Sequence, residues 1–292
     1  MIDVSSEPWW AESLACPECG KRLSFADPRC VCGFTATESR PLDLRPKTPM
    51  RRTISVPADT TVRADLDACN IEPPRVTYDG PAPIRDSSEL FSAAAPHLVP
   101  ESRLLDLGCG PRDQAAVAAH YGLRYAGVDY SSPAADLLAD AHALPFADSS
   151  FDLVFSYAVF EHLHNPYLAA AEVARVLTPG GTFFGTVSQG EPFHDSYFHH
   201  TAFGVLALLR SAGFVTRRIW PSYDTLHALA TMGRYPRLTK ILIEALHRFA
   251  AATPFLAPRA YFRSSARAKQ LEALYRTAGI CFVAEKVSGS AP

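Results

Sequence analysis

A short apolar run that stops on two closely spaced glycines constrains this chain more than any other feature in it. Arg103-Leu104-Leu105-Asp106-Leu107 suits a buried strand, Gly108-Cys109-Gly110-Pro111 breaks it, and Asp113 to Tyr121 reads as a helix closed by Gly122. Strand, glycine turn and helix in that order make a nucleotide-binding opening. The glycines let backbone approach a ligand, and the helix start offers unpaired N–H groups to something negatively charged. A glycine pair at this spacing also occurs in many unrelated turns, and Pro111-Arg112 stands where the dinucleotide fingerprint has its third glycine.

A second strand, Arg124 to Val128, ends on Asp129 and Tyr130. Asp129 follows the first strand at about the 20-residue spacing at which an acid meets ribose hydroxyls in a doubly wound sheet. Alone, it could equally start a turn before Ser131-Ser132-Pro133. The stretch from Ala139 through Asp140, Ala141, Leu144-Pro145-Phe146 and Phe151-Asp152 then leads into another strand at Leu153 to Ser156.

Taken with Asp106, Gly108, Gly110 and Asp129, that stretch resembles the Rossmann-like, class I S-adenosylmethionine-dependent methyltransferases, especially their ubiquinone-biosynthesis and small-molecule branch. The resemblance runs from about Leu90 to Phe214. It implies a doubly wound, mostly parallel, seven-stranded α/β sheet with the cofactor at the carboxyl ends of the strands. It also implies cofactor contacts at Asp106, Gly108, Cys109, Gly110, Asp129, Tyr130, Asp140, Ala141, Ser156 and Tyr157. Among these, Asp129 would hold the ribose, Asp140 the adenine amino group and Ala141 the ring through its backbone N–H, while Ser156 and Tyr157 would line the methionine end.

Near the N-terminus, Cys16-Pro17-Glu18-Cys19-Gly20 and Cys30-Val31-Cys32-Gly33 form two knuckles. Such pairs can turn four sulfurs toward one structural Zn²⁺, and the segment resembles a zinc ribbon, although the second pair has one spacer residue instead of two. The expected organisation is a zinc-ribbon-like module over 1–48, a linker over 49–83 and a methyltransferase domain over 84–292. A basic cluster of Arg40, Arg45, Lys47, Arg51 and Arg52 straddles the boundary between module and linker.

Asn165-Pro166 predicts a helix start, with the asparagine as cap and proline in the first turn. Further on, 222–279 is too long for an ordinary connection and repeats helical spacing, so it reads as a helical insertion. This insertion holds nine Arg and Lys against three Asp and Glu. It suits a lid over a substrate pocket; basic helices with apolar stripes also suit peripheral contact with an anionic membrane or a partner. Candidates for handling an acceptor proton are Glu161, His162, His194 and His199, which follow strands at their carboxyl ends.

The seven cysteines are an odd count, and Met1 to Trp10 lacks the basic and apolar regions of a signal peptide, so a cytoplasmic protein is expected. No apolar run is long enough to span a bilayer. A formal charge of −2 over 292 residues argues against a surface devoted to nucleic acid. The expected activity is therefore methyl transfer to O, N or C of a small molecule. The alternatives are an RNA base methyltransferase whose zinc module reads RNA, and a non-catalytic binding protein on the same fold.

Overall fold

The apolar runs become strands buried on both faces, as a parallel sheet covered by helices requires. The computed structural model describes residues 7–49, 53–54, 62–81, 87–191, 195–223, 225–232, 235–252 and 266–287. The chain runs through β1 (Leu42–Asp43), α1 (Arg63–Ala68), α2 (Ser87–Ala94), β2 (Arg103–Leu107), α3 (Ala115–His120) and β3 (Arg124–Asp129). It continues through β4 (Leu137–Leu138), β5 (Phe151–Tyr157), α4 (Pro166–Val176), β6 (Leu177–Ser188), α5 (Ala202–Ser211) and β7 (Phe214–Pro221). Last come α6 (Thr225–Met232), α7 (Arg237–Ala252), α8 (Ala266–Arg276) and β8 (Gly279–Lys286).

One sheet holds all eight strands in the order β1-β4-β3-β2-β5-β6-β8-β7. Pairing is parallel from β1 through β6, and β8 runs antiparallel between β6 and β7. The reversal of order between β2 and β5 is the switch point at which such sheets bind ligands. Seven strands were expected; the eighth is β1, a two-residue edge strand that the N-terminal segment adds beside β4.

Alternation along the strands divides the core into two layers. Leu105, Leu107 and Val154 pack with α4, α5 and the N-terminal segment, whereas Leu104, Leu153 and Phe155 pack with α2 and α3 around Phe91. The helix ends follow local chemistry: Asn165 Oδ1 accepts from Leu168 N at 3.1 Å, and Thr201 Oγ1 accepts from Gly204 N at 3.1 Å.

The cysteine-bearing segment shares the first of these cores. Trp10, Leu14, Leu23, Phe34 and Leu44 are buried in it together with Val128, Leu137 and Phe146. Backbone bonds tie the two parts: Ala15 N to Pro145 O at 3.0 Å, Ala147 N to Ser13 O at 2.8 Å and Leu44 N to Leu138 O at 2.9 Å. Trp9 adds an indole N–H to Tyr125 O at 3.0 Å. The region between segment and sheet also packs in part, with Leu66 and Ile71 buried and Asn70 hydrogen-bonded to β7. Among the described residues no helix is long and apolar enough to cross a membrane.

Candidate functional site

Parallel pairing brings the carboxyl ends of β2 through β6 to one edge of the sheet, and the predicted cofactor residues gather there. At the end of β2 the chain must turn while passing close to another loop. Gly108 does this at φ +76°, and a Cβ on it would lie 2.2 Å from Val159 Cγ2. Gly110 follows at φ +51° with open space where its Cβ would point. Arg112, in place of a third glycine, has φ +66°. It is held in this left-handed conformation by a 2.7 Å bond from Nη1 to Asp136 Oδ1 and by its guanidinium lying over the Tyr125 ring. Those contacts offset a backbone cost of about 1 to 2 kcal/mol for a residue with a Cβ.

Asp129, at the end of β3, closes the loop from the other side. Its Oδ2 accepts from Gly110 N at 3.0 Å, and its Oδ1 accepts from Ser131 N and Ser132 N, each at 2.8 Å. The carboxylate therefore organises the glycine loop and starts a turn, and three bonds leave lone-pair capacity on its oxygens. Tyr130 beside it is largely exposed and lies under the Arg45 guanidinium, 5.0 Å from ring centroid to Cζ.

Beyond β4, Asp140 is held through Oδ1 alone. It accepts from His142 N at 2.9 Å and pairs with His142 Nδ1 at 2.6 Å, while His142 Nε2 accepts from Asn165 N at 3.3 Å. The Asn165 N–H makes Nε2 the acceptor, so Nδ1 carries the proton that Asp140 receives. Burial raises Asp140, but its bonds from His142 outweigh that effect and hold the carboxyl below its ordinary value. Among the described residues no partner meets Asp140 Oδ2, which leaves it available to an amino group. Ala141 beside it is buried.

Inside the β2 end, Asp106 is buried and accepts from Tyr125 Oη at 2.6 Å; burial pushes its carboxyl up to about 7. Burial likewise raises the Cys109 thiol, which stays protonated and fills space. Two buried groups at this edge have polar atoms with no hydrogen-bond partner among the described residues: both amide atoms of Gln114 and the hydroxyl of Ser156. Native proteins seldom leave such atoms unpaired, and a polar ligand or water satisfies them. Tyr157 next to Ser156 is half-buried.

A second group of buried polar residues lies at the ends of β5 and β6. Glu161 is fully buried, Oε1 accepts from Ser188 N at 3.1 Å, and Oε2 has no partner among the described residues. The segment after β6 folds back over it, with Tyr197 N and Phe198 N donating to Glu161 O and His200 N donating to Ser188 O at 2.8 Å. Ser188 Oγ and His200 Nε2 are also buried without partners among the described residues, and burial lowers the His200 pKa, which favours the neutral ring. Three adjoining residues thus present unsatisfied polar atoms. Of the other candidates, His162 is exposed with Nδ1 2.5 Å from Asp195 O, His199 is exposed, and His194 lies outside the described residues. His200, Gln114 and Ser188 are not among the residues singled out from the sequence; nothing in their spacing marks them, since their interest comes from burial.

Residues 105–185 match the methyltransferase domain family. The matched segment covers β2 to β6, apart from the first residues of one and the last of the other, and so includes Gly108, Asp129, Asp140, Ser156 and Glu161 but stops short of Ser188 and His200. An uncharacterized methyltransferase of Mycobacterium marinum is 36% identical over 107 residues, 32% of this chain and 42% of that protein. The malonyl-[acyl-carrier protein] O-methyltransferase of Methylococcus capsulatus is 34% identical over 175 residues, 49% of this chain and 64% of that protein. The chain thus spans less than two thirds of the length of either relative. A solved structure, a putative sarcosine dimethylglycine methyltransferase from Galdieria sulphuraria, aligns with a TM-score of 0.46 at 19% identity, covering 70% of this chain and 84% of that one.

Outside the methyltransferase domain match, Cys16, Cys19, Cys30 and Cys32 bring their four sulfurs within 4.8 Å of one another. Cys16 and Cys32 are 3.6 Å apart, and Cys19 and Cys30 3.4 Å. Tetrahedral zinc with bonds of about 2.3 Å places sulfurs about 3.8 Å apart, so the four thiols fit such an ion. The knuckles close through Gly20 N to Cys16 O and Gly33 N to Cys30 O, with both glycines at positive φ.

Glu161 also carries a pH-dependent stability. Burial, with a smaller contribution from Glu191, pushes its carboxyl from 4.5 up to about 7. The folded protein therefore keeps this proton between about pH 4.5 and 7, where the unfolded chain has released it. Stability from this group is full below pH 4.5 and falls as pH rises to 7, by about 3 kcal/mol at most. Glu161→Gln is expected to melt with the wild type near pH 4.5 and above it at about pH 8, in thermal scans run in matched buffers. A variant less stable than wild type at the higher pH would show that the ionised carboxylate has a partner.

Proposed function

We propose that this chain is an S-adenosylmethionine-dependent methyltransferase of a small-molecule acceptor, with a structural zinc in its Cys₄ site. The observation that carries the reading is the coincidence of the 105–185 methyltransferase match with the strand ends that hold Gly108, Asp129 and Asp140. When bound, S-adenosylmethionine supplies a methyl group activated by its sulfonium toward a nucleophile.

The chain's own residues then bind, orient and exclude water. Gly108 and Gly110 shape the loop, and the open face of Gly110 admits the cofactor. Asp129 accepts ribose hydroxyls with its remaining lone pairs, Asp140 Oδ2 accepts the adenine amino group, and Ala141 N–H meets the ring. Gln114 and Ser156 supply polar atoms toward the methionine end, beside Tyr157. Glu161, Ser188 and His200 face the acceptor, where Glu161, with its carboxyl near 7, can take up an acceptor proton. Cys16, Cys19, Cys30 and Cys32 would hold zinc with no open position, which makes its role structural.

The basic cluster that follows the cysteine segment gives RNA no particular support over a small acceptor. Of the five-residue basic cluster, Arg45 pairs with Asp43 at 2.7 Å, Lys47 donates to Thr35 O, and Arg51 and Arg52 lie outside the described residues. Calorimetric titration with S-adenosylmethionine tests the reading: saturable binding at one site per chain is expected, and absence of binding would overturn it. Asp129→Ala is expected to weaken that binding about 100-fold with far-UV circular dichroism unchanged, since it removes charged acceptors from the ribose. An unchanged affinity would remove Asp129 from the site. Methyl transfer assayed against the products of neighbouring genes would identify the acceptor.

A further inference from the structure

The helical insertion carries a surface that the methyl-transfer reading leaves unused. Helix α7 exposes Leu238, Ile241, Leu242 and Leu246, each more than half accessible to solvent, at spacings that set them on one face. An isolated exposed leucine is ordinary, whereas four large aliphatic side chains along a 16-residue helix are a continuous stripe. Among the described residues nothing buries it: α7 packs against α6, and the half-buried residues of α7, Thr239, Lys240, Ile243 and Glu244, are not those of the stripe.

Charge says what such a stripe can meet. Beside the stripe, a cleft of about 590 Å³ is lined by Arg237, Lys240, Arg248, Ile241 and Glu244, with Ala230 of α6. Three cations and one carboxylate border the apolar face, and Glu244 is itself engaged by Arg248 at 3.1 Å. The segregation extends to the whole insertion: 222–279 holds nine basic and three acidic residues, leaving 19 basic and 27 acidic residues elsewhere. Within a chain of net charge −2 this stretch of sequence is net positive.

We infer that α7 docks the protein on an anionic membrane surface, lying in the interface with its aliphatic stripe down and Arg237, Lys240 and Arg248 among lipid phosphates. A helix with an apolar face, a cationic flank and charges throughout its length lies on a bilayer and does not cross it. Long basic side chains at the edge of the stripe reach the headgroups while their stems cover apolar surface. A second copy of the chain fits less well, since pairing two such helices would bring their cationic flanks together. The placement is consistent with a working surface. β7 ends at Pro221 opposite Ile280 of β8, and Gly279 lies opposite Ser188, so the insertion springs from the same sheet edge as the candidate site. Its base is fixed there by Ala278 N to Tyr223 O at 2.6 Å and Thr225 Oγ1 to Arg276 O at 2.8 Å.

Vesicle co-sedimentation of the full chain, without cofactor, tests this independently of methyl transfer. Binding is expected to vesicles containing phosphatidylglycerol at least about tenfold more strongly than to phosphatidylcholine alone, and to weaken with added salt. Leu242→Ser with Leu246→Ser, and separately Arg237→Ser with Lys240→Ser, should each reduce binding about tenfold or more. Their melting temperatures should stay near wild type, because both leucines are exposed. Absence of binding to the anionic vesicles, or equal binding by the variants, would overturn the inference. So would a dimer in solution that the leucine substitutions dissociate, which would assign the face to a second copy.

Discussion

Removal of zinc from the four-cysteine site is expected to lower the melting temperature of the whole chain, beyond any local loosening of its first residues. Metal analysis of protein purified without chelator should find about one zinc per chain. Structural zinc contributes roughly 10 kcal/mol or more to the folding of small modules that cannot bury a core of their own. Here the module's apolar residues are also part of the sheet's core: Trp10, Leu14, Phe34 and Leu44 pack with Val128, Leu137 and Phe146. Chelation, or Cys16→Ser, would free the segment to leave that core and would strip β1 from the sheet edge. The loss should reach the cofactor side, because Arg45 bonds Tyr130 O at 3.0 Å and covers its ring next to Asp129. Thermal scans with and without chelator, together with S-adenosylmethionine affinity, measure both effects. A chain that holds no zinc, or melts unchanged without it, would leave four reduced thiols as the account of Cys16 to Cys32.

The parts of this architecture that were legible in the sequence are those set by local chemistry. Leu104-Leu105 followed by Gly108 announces a buried strand and a turn, and Asn165-Pro166 announces a helix start, because each depends on neighbours in the chain. β1 could not be read this way: Leu42 and Asp43 have no periodicity, and their pairing with Leu137 and Leu138 is set by where the whole N-terminal segment packs. The same limit applies at the site. Asp129 and Asp140 stand out by spacing, yet the partners that hold them, Gly110 N and His142, are visible only in the fold. Asp140-x-His142 is a short enough interval to have been weighed as a pair. Glu161, Ser188 and His200 form one buried group across 40 residues of sequence, and burial of a polar atom leaves no mark in the residue type. Arg112 is the instructive case: its replacement of glycine looks like a weakened motif until Asp136 and Tyr125 are seen holding it at positive φ.

Alanine at the two loop glycines should separate the fold from the ligand. Gly108→Ala meets two obstacles, a φ of +76° that disfavours a Cβ and a Val159 methyl 2.2 Å from where that Cβ would lie. Strain and displaced packing together are expected to cost about 2 to 4 kcal/mol of stability, and because Val159 sits between the strand end and Glu161, cofactor binding should fall below detection. Gly110→Ala meets only the first obstacle, a φ of +51° with nothing near the added methyl, so it should cost the fold about 1 kcal/mol. If the open space at Gly110 is where S-adenosylmethionine lies, that methyl nevertheless projects into the ligand, and affinity should drop about 100-fold or more while the melting temperature barely moves. Val159→Ala added to Gly108→Ala removes the clash without removing the strain, so it should restore part of the stability. Calorimetric titration and thermal scans on the four proteins read both quantities. Wild-type affinity in Gly110→Ala would mean that the cofactor does not approach the loop from its open side, and the assignment of Asp129 and Asp140 to ribose and adenine would fall with it.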